Sequence, residues 1–210
     1  MKRNSLPIIL ILVHQLANSQ QPASPNKKIF ADVAIGNFGL GCNIRMHLPK
    51  NSKLFALYST EPGQGGGSLV MEKSKFIREP WFFRFVCYQS NSGIVNDGWA
   101  ILKNGVWKPK RDEGLKEFTD LNSFQFYAIT SANSTGWAVV TDDIIGDEKS
   151  RRRTMNYCVA KGEQAICGDS EMGYLEDFKR KKKSDLTPTA LRLLQSIEFL
   201  KDELPNTARP

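Results

Sequence analysis

Cys158 and Cys167 flank a short turn, and this pair limits the folds open to the chain more than any other feature. The stretch 155–160 reads as a strand, Lys161-Gly162-Glu163-Gln164 as a turn, and Ala165-Ile166-Cys167 as the return strand. A four-residue turn sets Ala160 opposite Ala165, and two steps back it sets Cys158 opposite Cys167. Directly opposed residues of an antiparallel pair hold their Cβ atoms about 4.5–5.5 Å apart. A disulfide wants slightly less, about 3.5–4.5 Å, so a non-hydrogen-bonded pair is the favoured seat. The expectation is a hairpin closed by a Cys158–Cys167 bond.

The other two cysteines, Cys42 and Cys87, are then left for each other. Alternation over 41–48 puts Cys42, Ile44, Met46 and Leu48 on one face, and Asn43, Arg45 and His47 on the other. Over 81–88, Cys87 shares a face with Trp81, Phe83 and Phe85. Both thiols therefore point toward a core, where a second bond forms. An even cysteine count in this pattern suits an oxidising compartment. Structural zinc is disfavoured, because the sequence has neither a C-x-x-C pair nor a nearby histidine pair.

The N-terminus agrees with that compartment. Lys2 and Arg3 precede an apolar run over 6–16, and Ala17-Asn18-Ser19 offers the small residues that a signal peptidase accepts. Residues 1–19 read as a signal peptide cut after Ser19, giving a periplasmic or secreted product. Residues 20–28, with Pro22 and Pro25, read as a flexible leader, residues 29–203 as one disulfide-bearing domain, and residues 204–210 as a disordered tail. No later segment has the roughly 20 consecutive apolar residues of a membrane-spanning helix.

Strand signals dominate the middle of the chain: 54–58, 69–72, 81–89, 98–103, 106–108, 124–130 and 137–141. Asn104-Gly105 is a strong hairpin signal, and the stretch from Glu61 to Gly67 reads as a mobile glycine-rich loop. Helix signals are fewer. A short helix fits 112–121. A clearer one begins with Thr187 as N-cap and Pro188 in the first turn, and carries Leu191, Leu194 and Ile197 on one side. The fold class expected is α+β: a twisted antiparallel sheet of six to eight strands with helices on one face and a C-terminal helix. A β-sandwich is the alternative.

The formal net charge is +7, concentrated in Arg151, Arg152, Arg153 and the run Lys179-Arg180-Lys181-Lys182-Lys183. Such runs suit a polyanion, but Asp142, Asp143, Asp147 and Glu148 stand close enough in sequence to neutralise the arginines. The basic residues are not interleaved with aromatics, which argues against single-stranded nucleic acid as partner.

Catalytic patterns are missing. His47 is the single histidine after residue 19, too few for a histidine-based triad or a His-rich metal site. Gly65-Gly66-Gly67-Ser68-Leu69 is neither a nucleophile elbow nor a phosphate-binding loop. No metal or other cofactor is expected, and no catalytic residue is nominated. A hydrolase built on two carboxylates stays open, because such enzymes need only a set separation between them; Glu79, Asp97 and Glu117 are candidates of equal standing. The tryptophans Trp81, Trp99, Trp107 and Trp137 sit in strand-like segments, where core packing is the usual role; Trp107 is the one most open to solvent on sequence grounds, and so the one with contact as an alternative, a candidate together with Arg151, Arg152 and Arg153.

One resemblance runs through the last third of the chain. Its residues are Gly136-Trp137-Ala138, Thr141-Asp142-Asp143, Arg152-Arg153, Tyr157-Cys158, Cys167-Gly168, Gly173-Tyr174-Leu175, Leu186-Thr187-Pro188 and the ending LRLLQSIEF. This pattern resembles a set of uncharacterised exported proteobacterial proteins with paired cysteines and a terminal LL-x-SIEF segment. The ending is also similar to the PsbP/Mog1-like α+β sandwich of small envelope proteins, some of them immunity proteins against secreted toxins. The resemblance implies an exported, non-catalytic protein that binds another protein, and it brings no catalytic residue with it. An envelope hydrolase and a polyanion or envelope-surface binder are the rival expectations.

Overall fold

In the computed structural model, residues 30–61, 64–96, 99–110 and 123–201 are described. The expected signal peptide, leader, 112–121 helix and tail, and the candidates Asp97 and Glu117, lie outside the described residues.

The chain forms β1 (Phe30–Asn37), β2 (Asn43–Pro49), β3 (Ser52–Leu57), β4 (Gly66–Met71) and β5 (Trp81–Gln89). A one-turn helix α1 (Gly93–Asn96) and the hairpin of β6 (Ala100–Lys103) and β7 (Val106–Pro109) follow. Next come β8 (Phe124–Thr130), β9 (Thr135–Asp142), β10 (Arg152–Lys161) and β11 (Gln164–Tyr174). The described chain closes with α2 (Leu175–Arg180), α3 (Thr187–Gln195) and β12 (Glu198–Phe199).

The fold is sheet-rich and antiparallel. Seven strands form one sheet in the order β3-β4-β5-β11-β10-β9-β8, and β1-β2-β12 form a smaller one. The inner face of the large sheet buries Phe83, Phe85, Val140, Met155, Tyr157 and Ile166 against Ile44 and Met46 of β2 and Leu193 and Leu194 of α3. At about 25 cal/mol per Å² of apolar surface removed from water, this layer is the main source of stability. The small sheet and α3 thus share the job of covering that face.

The outer face carries a second cluster, where Trp137, Val139, Cys158 and Cys167 lie under Val95 of α1 and Ala100 and Trp107 of the β6–β7 hairpin. Strand β9 is consequently buried on both sides. Trp107 is 6% exposed, so the contact alternative for it is corrected: the hairpin folds its indole down onto the sheet.

Register explains the cysteines. Cys158 faces Cys167 and Ala160 faces Ala165, and the disulfide joins Cα atoms 4.0 Å apart. The turn itself is tighter than expected: the strands run through Lys161 and Gln164, and Gly162 adopts a φ of +58° in the two-residue connection. Cys42 lies just before β2 and is bonded to Cys87 of β5 across 6.0 Å between Cα atoms. This bond sits in the inner core, and the hairpin bond sits in the outer cluster.

Two local expectations are corrected. Gly66 and Gly67 belong to β4, not to a mobile loop. A Cβ on Gly67 would stand 2.0 Å from the Phe55 carbonyl oxygen, so only glycine lets β4 pack this closely. At α3, Asp185 Oδ1 accepts the Thr187 N–H at 2.9 Å, and Thr187 is itself helical. The carboxylate thus holds an N–H of the first turn, while Leu186 at the helix boundary makes no side-chain cap bond. Leu191, Leu194 and Ile197 are buried, with Ala190 and Leu193 beside them.

Candidate functional site

The outer face of the large sheet is covered on the β9–β10 side and open toward β3, β4 and β5. Alternation in β5 buries Trp81, Phe83 and Phe85 on the inner side and turns Phe82 and Arg84 outward. Phe82 is 54% exposed there, and the edge strand β3, beyond β4, exposes Phe55 and Leu57. Exposed aromatic side chains of this kind are common anchors of protein interfaces.

Two concavities lie along this face and share Asp169. The larger, about 740 Å³, is lined by Arg84, Arg152, Asp169, Glu171 and Tyr174, with Arg78 and Glu79 from the β4–β5 connection. The smaller, about 490 Å³, has the Cys158–Cys167 bond and Trp137 among its lining residues, with Tyr88, Ile94 and Trp99. One end of the groove is therefore charged and the other aromatic. Both volumes fall within the range of ligand-holding clefts.

Tyr174 organises the charged end. Its hydroxyl donates to Glu79 Oε1 at 2.7 Å and accepts from Arg152 Nη2 at 2.6 Å. The guanidinium carbons of Arg152 and Arg78 lie 4.5 and 4.8 Å from its ring centre. Such contacts stabilise by about 0.5–1 kcal/mol each at exposed positions. The bond to Glu79, helped by partial burial, raises the Tyr174 phenol above its ordinary value. Arg152 also pairs with Glu171, and its Nη1 stands 3.5 Å from Glu79 Oε2. Burial opposes its charge, but Glu171, with Tyr174 and Glu79, offsets this and leaves its pKa raised. Arg84 pairs with Asp169 on the open face.

Chemically, Glu79 and Glu171 converge on one guanidinium. Arg152 occupies the gap where a pair of carboxylates acting as acid and base would hold the bond to be broken. The exposed ion pairs can instead exchange partners with incoming charges at little cost.

The three arginines of the 151–153 run part company. Arg151 donates to the Gly146 carbonyl at 3.1 Å. Arg152 enters the groove. Arg153 turns away, bonding Asp142 at 2.6 and 2.8 Å and Asp185 at 2.7 Å. The bond to Asp142 outweighs burial and raises the Arg153 pKa. Asp143 and Asp147 cap their own loop through the Ile145 and Lys149 N–H groups. His47 is exposed on β2. Among the described residues, no group of three or more His, Cys, Asp or Glu side chains is placed to hold a metal ion. Among them too, no helix is long and apolar enough to cross a membrane.

Sequence reasoning singled out Glu79 and Arg152 but missed Arg78, Phe82, Arg84, Asp169, Glu171 and Tyr174. The available signal was Phe82 and Arg84 in the outward phase of the strongest strand. No protein-family model, curated protein or solved structure matches this chain.

Proposed function

We propose that the chain is an exported, non-catalytic binding protein that holds another protein in the groove on the outer face of its large sheet. The carrying observation is the composition of that face: Phe82, Arg84, Arg152 and Tyr174 stand together around an open concavity. Arginine, tyrosine and other aromatic residues are the side chains that protein interfaces enrich and on which their energy concentrates. The two disulfides support the export part of this reading, since such bonds persist in oxidising compartments. In this reading the signal is removed after Ser19, the mature protein is periplasmic or secreted, and the domain belongs to the α+β class with α3 in its helical layer. The immunity proteins resembled by the C-terminal segment suggest the partner's class, a secreted toxin that the protein neutralises.

Affinity capture from the periplasm with the oxidised chain tests this. A single protein retained by the natural chain and lost from Phe82→Ala and Arg84→Glu is the expected result. Retention of the same protein by both variants, or of none, rejects the groove. Both side chains are exposed, so their replacement shifts stability by no more than about 0.5 kcal/mol.

A further inference from the structure

Resting on that reading, we infer that the partner presents an acidic polypeptide surface to a lysine patch beside the charged end of the groove. The patch is assembled from two distant segments. Phe76, in the β4–β5 connection, lies beneath Lys75 at 5.1 Å and beneath Lys183 at 5.4 Å. Lys179, Lys181 and Lys182 are exposed beside Lys183 at the end of α2 and in the turn after it. Arg78 ties the same connection to the start of α2, bonding Asp177 at 2.7 Å.

The carboxylates of α2 and the turn after it are already engaged. Glu176 pairs with Arg180 at 2.5 Å and with Arg78 at 3.5 Å. Asp185 pairs with Arg153 at 2.7 Å. Among the described residues, none of Lys75, Lys179, Lys181, Lys182 and Lys183 has a carboxylate partner. Gathering unmatched ammonium groups costs self-repulsion that an acidic partner relieves.

The surroundings favour polypeptide over a lipid surface. A flat bilayer cannot follow the adjoining groove, and the apolar side chain under Lys75 and Lys183 is one partly buried ring, where interfacial membrane binders need a broad apolar face. A polypeptide reaches groove and patch together. Attraction between exposed charges extends over roughly one Debye length, about 8 Å at physiological salt. The patch therefore speeds association and makes it salt-sensitive, while groove contacts set the residence time.

The test is fluorescence anisotropy of a labelled oligoglutamate peptide titrated with the full oxidised chain at low and physiological salt. The expected result is binding that weakens with salt. It is about tenfold weaker at low salt in the variant combining Lys179→Glu, Lys181→Glu, Lys182→Glu and Lys183→Glu. Lys103→Glu, a charge reversal on the exposed β6–β7 hairpin away from the lysines, binds the peptide as the natural chain does. Equal binding by the natural and four-lysine variant chains overturns the inference. So does stronger binding to phosphatidylglycerol vesicles than to the peptide. Failure of the groove reading looks different: partner capture survives Phe82→Ala while the peptide still binds the lysines.

Discussion

The Tyr157 hydroxyl donates to the Arg84 carbonyl at 2.6 Å, although β11 lies between their two strands. Strands β5 and β11 pair from Gln164 to Cys167 and again at Ser170. Between those stretches the phenol reaches across Gly168 to the carbonyl of β5. A Cβ on Gly168 would stand 1.9 Å from that oxygen and 2.9 Å from the phenol. The ring also stacks on Phe83 with centres 4.8 Å apart, so one side chain links three strands beneath the groove floor.

Gly168→Ala should therefore destabilise the fold by about 2–3 kcal/mol, because the added methyl meets backbone that cannot move without parting the sheet. The urea midpoint falls accordingly. A change below about 0.5 kcal/mol would mean that β5 and β11 separate freely.

Tyr157 also predicts an alkaline limit. Burial raises its phenol well above the ordinary value, with the Asp169 charge adding to the effect. The folded protein thus keeps a proton that the unfolded chain releases near pH 10. Stability owed to this group is complete below about pH 10 and falls as pH rises through the higher folded-state value. Tyr157→Phe should flatten that decline, at a cost of about 1 kcal/mol at neutral pH for the lost hydrogen bond. Tyr127, raised by burial, and Tyr174 keep part of the slope in the variant. Urea titrations at neutral and alkaline pH measure the difference, and parallel curves for both chains would count against it.

The two disulfides should differ in worth. Loop-closure entropy assigns about 4 kcal/mol to Cys42–Cys87 and about 2.5–3 kcal/mol to Cys158–Cys167, which closes a shorter loop. Replacing each pair by serines and comparing denaturation midpoints checks the order. Equal losses would show that native-state strain or residual structure overrides loop length.

Arg153 and Arg151, neighbours but one in sequence, should behave differently. The Arg153 side chain is 15% exposed, and its removal takes the cation from Asp142 and Asp185, which are 24% and 22% exposed. Arg153→Ala should cost about 2 kcal/mol, below the 3–5 of a fully buried pair. Arg151→Ala, losing two exposed bonds to the one Gly146 carbonyl, should cost no more than about 0.5 kcal/mol. Thermal unfolding of the two variants separates them, and similar melting temperatures would contradict this division.

Legibility in the sequence followed the strength of the local period. The β10–β11 register could be counted from its turn because a strand repeats every two residues, and Trp81–Gln89 alternates cleanly. Strand β1 escaped notice because its larger branched residues, Val33 and Ile35, are turned outward and only small Ala34 between them packs on the core. The seat of Trp107 was not legible because nothing local says which way a four-residue hairpin strand folds over a sheet. The groove was least legible. Arg84 and Asp169 are 85 positions apart, and Tyr174 and Glu79 are 95. Only the strand order β5-β11-β10 brings them together, and no short-range pattern encodes strand order.

The sulfur links join first cysteine to second and third to fourth. A chain oxidised in the order in which its thiols emerge makes the native bonds at once, with nothing to reshuffle. An oxidase without an isomerase should be enough to mature it.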